Sequence, residues 1–346
     1  MVFIKTWNIN IQERMKELHV VGLSMVEIKN GLIDRTATFG YLDTETKSIV
    51  TPQTLFHACS ISKFLTGQLV VTLAEQQYFH LDDHVNSRLV SYKIPTNSYT
   101  KEVTLRNLLN HQSGIIDAPG SFSELSSMDS APTMRELLEG KSPYCNTPVT
   151  VQYEPESRFD YSDAGYCVIQ QLIEDVMKKP FSEVVEEQIF KPLQMINSRY
   201  QVDQIDKNIA SGHNKNGKVV IGKYPIYPYP AAAGLWTTPS DLAILVIELF
   251  NSLKGRSTIG ISSKAAREII TPSDMIGWAG LGVFLESFED GVEISSLGWG
   301  VGFQCMIVAF PNQESGLIIM TNTDLGVHQL KGLIGEIYHA YREGLL

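Results

Sequence analysis

A serine and a lysine three positions apart are the residues of this 346-residue chain whose types and spacing most directly suggest chemistry. They are Ser60 and Lys63, in the run Ser-Ile-Ser-Lys. Residues at i and i+3 share a helix face, so the amine of Lys63 can reach the hydroxyl of Ser60 and accept its proton. The pair predicts an activated serine nucleophile. The structural alternative is that Ser60 only caps a helix and Lys63 is solvated in its first turn.

The segment after the pair distinguishes it from a chance match. Ser98 and Lys101 have the same spacing, but they lie in a polar run without apolar periodicity. Residues 64–74, in contrast, form an apolar segment long enough for a core helix. A hydroxyl at the start of such a helix lies near the positive end of its dipole, which favours an alkoxide.

The elements that must position this pair are strands at both ends of the chain and helices between them. An Asn30-Gly31 hairpin signal joins apolar runs at 21–27 and 35–41. Further strands are predicted at 281–286, 292–297, 304–310 and 316–321, before a closing amphipathic helix at 329–342. Helices are predicted at 62–76, 105–110, 134–139, 163–177, 181–190 and 239–253.

This order predicts an α/β (α+β) fold in which both chain termini build one antiparallel sheet, flanked by helices, that carries a mainly helical insertion. We assign residues 1–60 and 275–346 to the sheet lobe and residues 61–274 to the helical lobe. The cleft between the lobes is the expected active site.

The composition excludes several classes of partner. With 28 basic and 38 acidic residues the formal charge is -10, which argues against nucleic acid and anionic membranes as partners.

The apolar runs are too short or too interrupted to span a bilayer. The first twenty residues are charged and lack a continuous apolar region, which predicts a cytoplasmic protein as given, or a secreted or periplasmic one if a leader was removed.

The sequence predicts no metal and no organic cofactor. The segment from His80 to His84 has metal-capable side chains but lacks the H-E-x-x-H order. The glycine-rich segment 298–302 is followed by a strand, whereas a dinucleotide fingerprint needs a helix there. The cysteines show no C-x-x-C pairing and are predicted to be free, mostly buried thiols: Cys59, Cys145, Cys167 and Cys305.

Several further stretches occur in a fixed order around the Ser-Lys pair. They are Thr54-Leu55-Phe56, Leu81-Asp82-Asp83, residues 105–114 (LRNLLNHQSG), residues 159–166 (FDYSDAGY), residues 233–242 (AGLWTTPSDL) and residues 298–303 (GWGVGF). Their order and spacing resemble the serine β-lactamase and penicillin-binding-protein superfamily. The resemblance covers most of the chain and is to the class C-like branch of β-lactamases, D-alanyl-D-alanine carboxypeptidases and esterases.

The resemblance implies roles for four residues and a β-lactamase/transpeptidase-like fold. Ser60 would be the acylated nucleophile and Lys63 the neighbouring base. Tyr161 would exchange protons between the nucleophile, the leaving group and water. The backbone N–H groups of Ser60 and Trp299 would form the oxyanion hole.

The second motif departs from the family pattern. It is usually Y-x-N, whereas Tyr161-Ser162-Asp163 ends in a carboxylate, which accepts hydrogen bonds but donates none when ionised. Asp163 then either contacts the substrate differently or holds Lys63 in its charged form. A literal Y-x-N at 144–146 lacks a following helix, so we interpret it as a coincidence.

The third motif also departs, because Ser296-Leu297-Gly298 has no Lys or His at its first position. The usual partner for the carboxylate of a penicillin or a terminal D-alanine is therefore missing. This favours uncharged esters or amides. Substrate-binding positions are predicted at Asp163, Ser296, Leu297 and Gly298.

We therefore predict a serine acyl hydrolase that forms an acyl-enzyme at Ser60 on small carboxylic esters or amides. The alternatives are a β-lactamase or D-alanyl-D-alanine carboxypeptidase, acting on a β-lactam or D-amino acid peptide, and a sensor that is acylated without turnover. His111 is either a general base or, as we favour, a hydrogen-bonded structural residue. The Tyr-Pro-rich loop at 224–230 is surface filler or a wall of the acyl pocket.

Overall fold

A computed structural model of the chain describes residues 9–95, 98–125, 131–202, 206–273, 275–289 and 291–345. In chain order its strands are β1 (Gly22–Lys29), β2 (Leu32–Asp43), β3 (Ser48–Ile49), β4 (Phe56–His57), β5 (Trp236–Thr237), β6 (Phe284–Phe288), β7 (Gly291–Gly300), β8 (Phe303–Phe310) and β9 (Ser315–Thr321). Its helices are α1 (Ile11–Glu17), α2 (Ser62–Glu75), α3 (Val85–Arg88), α4 (Leu105–Leu109), α5 (Met134–Leu138), α6 (Asp163–Met177), α7 (Phe181–Val185), α8 (Lys191–Leu193), α9 (Pro230–Ala233), α10 (Pro239–Leu253), α11 (Ser263–Ile269) and α12 (Leu333–Leu345).

One antiparallel sheet joins the two ends of the chain. Within the described residues its seven strands follow the order β3-β2-β1-β9-β8-β7-β6. The pairing of β1 with β9 places Leu23 opposite Thr321 and Ile28 opposite Gly316. The predicted α/β class, with a sheet built from both termini, is confirmed.

Alternating side chains bury both faces of the central strands of this sheet. On β9, Leu317 and Ile319 pack with α1 and α12, whereas Ile318 and Met320 face the larger core formed with the middle of the chain. A period of two along a strand sends successive side chains to opposite faces, and here both faces are covered by helices. The central strands therefore form a middle layer, whereas β2 and β3 at one edge of the sheet are largely exposed.

The helices of the middle of the chain include the predicted core helix. α2 is buried from Ser62 to Leu73, as expected for a helix that is apolar on most sides. α6 and α10 occupy the ranges predicted for them, and residues 186–190 continue α7 as a π-helical turn. α10 packs on β1 and β9, and the predicted division into lobes stays a prediction.

No helix in the described part of the chain has both the length and the apolar character required to cross a bilayer.

The sheet approaches the Ser60 turn at one glycine of β7. β6 pairs with β7 only as far as Ser295. Beyond Ser295, the side of β7 that faces the Ser60 turn is therefore not paired with β6. A Cβ atom on Gly298 would lie 2.3 Å from the carbonyl oxygen of Ala58 and 2.3 Å from Sγ of Cys305. Only glycine permits this close approach of two backbones.

We expect Gly298→Ala to destabilise the protein by about 1–3 kcal/mol, because the new methyl group must displace backbone rather than a flexible side chain. Gly277→Ala is the matched control, since a Cβ atom there meets no atom within 4 Å. Chemical denaturation of both variants measures the effect. Equal unfolding midpoints would show that β7 does not contact the Ser60 turn in this way.

Candidate active site

Ser60 lies in a tight turn between a short strand and the core helix. β4 leads into a 3-10 turn over Cys59–Ile61, and α2 begins at Ser62. Ser60 is thus not the cap of α2, because its first turn has no side-chain cap. Cys59 has a left-handed φ of 50°, which is a strained conformation for a non-glycine residue. Such strain is common where a turn must present one side chain.

Ser62 holds this turn against the rest of the protein. Its hydroxyl donates to the carbonyl oxygen of Cys59 at 2.7 Å and accepts from the N–H of Leu235 at 3.1 Å. Ser62 is fully buried, so both bonds lie in an environment where an unpaired hydroxyl is costly. The sequence analysis did not single out Ser62 for this role, since nothing in the spacing links it to Leu235.

Lys63 connects Ser60 to two other segments. Its Nζ lies 3.3 Å from Oγ of Ser60, 2.5 Å from Oδ1 of Asp163 and 3.0 Å from the carbonyl oxygen of Ala232. The side chain of Lys63 is only 4% exposed. The i, i+3 prediction that the amine reaches the hydroxyl agrees with this geometry, and Asp163 is a partner of Lys63.

The carboxylate of Asp163 controls the charge of Lys63. Burial by itself lowers the pKa of the amine, but the negative charge of Asp163 and the neighbouring phenol of Tyr161 outweigh it. The net result is a pKa of Lys63 raised above its usual value. At neutral pH the amine is therefore charged, which is the second of the two roles predicted for Asp163.

Tyr161 completes the group around Ser60. Tyr161 lines the same cleft as Ser60 and Lys63, and Nζ of Lys63 is 4.8 Å from the centre of its ring. Desolvation raises the pKa of Tyr161, and the charge of Lys63 opposes that shift without cancelling it. Both groups hold protons at neutral pH, so a proton leaving Ser60 must enter a shared network.

His111 packs against the ring of Tyr161. The two rings stack with centroids 4.4 Å apart, and Nδ1 of His111 accepts a hydrogen bond from the N–H of Ser162 at 3.1 Å. Burial and the nearby charge of Lys63 hold the pKa of His111 well below its usual value. A neutral, hydrogen-bonded imidazole fits the favoured structural interpretation.

Asp117, which no motif in the sequence singles out, positions the segment that carries Tyr161 and Asp163. Its carboxylate accepts from the N–H groups of Asp163 and Ala164, both at 2.9 Å, and from the hydroxyl of Ser162 at 3.0 Å. These groups form the N-terminus of α6, where a carboxylate satisfies free N–H donors. No spacing in the sequence reveals a contact made by a loop residue 45 positions away.

Two of the three residues of the third motif line the same cleft. Ser296 and Leu297 line it together with Ser60, Lys63 and Tyr161. Gly298 packs against the Ser60 turn, and its carbonyl oxygen accepts from Nε2 of Gln329 at 2.8 Å.

Trp299 lies at the exposed end of β7. Its indole N–H donates to Asp324 at 2.8 Å, and 45% of the residue is exposed. The structure therefore brings the predicted catalytic residues together and places the third motif along one side of them.

Other sequence candidates lie outside the cleft. Asp82 and Asp83 form ion pairs with Arg106 and Arg88, and the described residues contain no group of three or more His, Cys, Asp or Glu side chains arranged to hold a metal. The Y-x-N at 144–146 belongs to a turn closed between Ser142 and Cys145. All four cysteines are buried and free, as predicted.

A family model described as Beta-lactamase matches residues 7–337. The chain belongs to the β-lactamase family. Protein flp of Staphylococcus aureus (strain NCTC 8325 / PS 47) is 24% identical over 321 residues, which cover 90% of this chain and 61% of that protein. Teichoic acid D-alanine hydrolase of Staphylococcus aureus is 26% identical over 229 residues, or 65% of this chain and 53% of that protein. This β-lactamase-family chain thus spans 61% of the first relative's length.

Two solved structures have the same fold as this chain. An octameric penicillin-binding protein homologue from Pyrococcus abyssi superposes with a TM-score of 0.77 at 25% identity, over 96% of this chain and 75% of that one. A β-lactamase/D-alanine carboxypeptidase from Yersinia pestis, complexed with citrate, superposes with a TM-score of 0.76 at 17% identity, over 99% and 97% of the two chains. The names of these similar proteins include a D-alanine hydrolase and a D-alanine carboxypeptidase.

We expect Asp163→Asn to move the pH dependence of Ser60 reactivity toward lower pH. Removing the carboxylate lets burial lower the pKa of Lys63, so the amine loses its proton at a lower pH than in the wild type. The rate at which a fluorophosphonate labels Ser60, measured from neutral to alkaline pH, reports this shift. Asp160→Asn is the control, because Asp160 pairs with Arg158 instead of Lys63. Coincident profiles for all three proteins would contradict the assigned ion pair.

Proposed function

We propose that this β-lactamase-family protein hydrolyses small carboxylic esters or amides through a covalent acyl-enzyme on Ser60. The observation that carries the proposal is the meeting of the Ser60 hydroxyl, the Lys63 amine and the Tyr161 phenol in one cleft. A nucleophile hydrogen-bonded to one proton-transfer group, with a second such group in the same cleft, is the arrangement that acyl transfer requires.

The proposed reaction begins with attack of Oγ of Ser60 on the substrate carbonyl carbon. The hydroxyl proton enters the network of Lys63 and Tyr161 as the new C–O bond forms. The bond to the leaving alcohol or amine then breaks, and the network returns the proton to that group. Water attacks the acyl-enzyme in the same way, which releases the acid and restores the Ser60 hydroxyl.

The negative charge on the carbonyl oxygen needs donors at the mouth of the cleft. The N–H of Ser60 and the N–H of Trp299 are the proposed pair. The free edge of β7 beyond Ser295 and the contact of Gly298 with Ala58 support this arrangement, because they bring the strand beside the turn.

The charges around the cleft favour a substrate without a carboxylate. Among the described residues that line it, Lys63 is the one side chain charged at neutral pH, and Asp163 already pairs with it. An anionic substrate group would find no free cation beside Ser296, so its desolvation would go uncompensated. Uncharged esters and amides avoid this cost.

The substrate class is tested by a chromogenic panel measured with the wild type and with Ser60→Ala. It contains p-nitrophenyl acetate, a p-nitroanilide, a chromogenic cephalosporin and a D-alanyl ester, the last suggested by the D-alanine hydrolase among the relatives. We expect ester turnover that vanishes in Ser60→Ala. Faster cephalosporin turnover would assign a β-lactamase, and stable acylation without turnover would assign a sensor.

We expect Lys63→Ala and Tyr161→Phe each to lower ester turnover by roughly 100- to 10,000-fold, which is the usual contribution of a proton-transfer group. The change in kcat/KM for p-nitrophenyl acetate measures this. Tyr41→Phe is the control, because Tyr41 is an exposed residue of β2. Near-normal activity in either cleft variant would show that the proton follows another route.

A further inference from the structure

Four aromatic side chains form a continuous group at the catalytic cleft. They are Phe159, Tyr161, Trp278 and Phe284, and we call them the aromatic rim. The ring centroids of Phe159 and Trp278 are 4.4 Å apart, and those of Trp278 and Phe284 are 6.0 Å apart. The centroids of Tyr161 and Phe284 are 6.5 Å apart. Aromatic rings attract one another at such separations, so the rim is one apolar surface.

Three members of the rim line the cleft that contains Ser60. They are Phe159, Tyr161 and Phe284. The enclosed part of this cleft has a volume of about 20 Å³, which is room for about one water molecule. A substrate whose carbonyl carbon reaches Ser60 must therefore keep its larger substituents outside the enclosed part, where the rim offers an apolar surface.

Two members of the rim are exposed although their side chains are aromatic. Tyr161 is 40% exposed and Trp278 is 45% exposed, whereas Phe159 and Phe284 are half-buried. Single exposed apolar side chains are common on protein surfaces, but contiguous apolar patches mark places where another molecule binds. Because this patch borders the nucleophile, the molecule that meets it is the substrate held at Ser60.

A closed turn holds the rings of Trp278 and Phe284 in place. The N–H of Leu285 donates to the carbonyl oxygen of Trp278 at 2.9 Å, and an antiparallel bridge joins Ala279 to Phe284. The rings are therefore positioned before a substrate arrives. A preformed surface loses little conformational entropy on binding, which favours affinity.

The relative orientation of the rings favours an aromatic ligand. Trp278 is tilted by 54° to Phe159 and by 45° to Phe284, so these rings do not cover one another's faces. A further aromatic ring can pack against a free face or edge, and this attraction between ring quadrupoles is absent for a saturated ring of similar size.

From these observations we propose that the aromatic rim is a substrate subsite, and that the enzyme prefers esters or amides that carry an uncharged aromatic ring near the reacting carbonyl group. The ring packs against Phe284 and Trp278 while Oγ of Ser60 attacks the carbonyl carbon. This inference rests on the proposed function, because the turnover that it describes proceeds through the Ser60 acyl-enzyme.

Turnover is tested with two pairs of esters that differ only in the saturation of a ring. Methyl 3-phenylpropanoate is compared with methyl 3-cyclohexylpropanoate, and benzyl acetate with cyclohexylmethyl acetate, so that the ring lies in the acid or in the alcohol. Titration of the released acid gives kcat/KM, and division by each ester's alkaline hydrolysis rate removes differences in intrinsic reactivity. We expect the aromatic member of at least one pair to be favoured by roughly three- to tenfold. A ratio near one in both pairs would overturn the inference.

Substitutions locate the bound ring. In Phe284→Leu and in Trp278→Leu the ratio of aromatic to saturated turnover should fall toward one, because each variant removes a ring from the subsite. Phe288→Leu is the matched control, since Phe288 is another partly exposed phenylalanine of β6 and its ring packs against Arg342. It should keep the wild-type ratio. If Phe284→Leu fails to fold, the exposed Trp278 decides alone, and an unchanged ratio in Trp278→Leu would then contradict the subsite.

A binding measurement separates failure of this inference from failure of the proposed function. The ketones 4-phenyl-2-butanone and 4-cyclohexyl-2-butanone carry the same rings and a carbonyl group but have no leaving group. Ligand-observed NMR titrations of the wild type should show that the phenyl ketone binds roughly three- to tenfold more tightly. Preferential binding without ester turnover would support the subsite and contradict the proposed function. Ester turnover without any preference for the aromatic ring would do the reverse, and the absence of both would overturn both.

Discussion

The buried ammonium group of Lys63 is the constraint on which the active site depends. With the side chain 4% exposed, a cation at this position requires partners, since an unpaired buried charge costs several kcal/mol. The partners come from distant segments: Asp163 at the start of α6 and the carbonyl of Ala232 in α9. One amine thus holds three helices around the nucleophile.

The same ion pair determines how protons move. A carboxylate in place of the usual amide keeps Lys63 charged and leaves Tyr161 protonated. Because the two groups interact strongly, their titration belongs to the network rather than to either residue. The carboxylate at position 163 therefore sets the protonation of the groups near Ser60.

The opposite side of the site depends on backbone contact instead of charge. Gly298 lets β7 approach the Ser60 turn. Ser62 and His57 hold that turn through hydrogen bonds to the backbone of Cys59. A turn with a left-handed Cys59 needs such support, because its conformation is strained.

Local patterns in the sequence were enough to predict the longer helices, the longer strands and the Ser60–Lys63 contact, but not short elements such as α9. Apolar periodicity identifies α2, α6 and the strands of the sheet, and i, i+3 spacing on a helical turn brings the amine to the hydroxyl. These features depend on residues that are neighbours in the chain. The pairing of the two termini also followed from strands placed at both ends.

Contacts between distant segments were decided by the tertiary structure alone. The choice between two roles for Asp163, the support of α6 by Asp117 and the bond from Leu235 to Ser62 all join residues far apart in the sequence. No periodicity encodes such pairs, because they depend on how the helices and the sheet pack. The sequence by itself thus identified the candidate catalytic groups, and packing decided their charge and the surfaces around them.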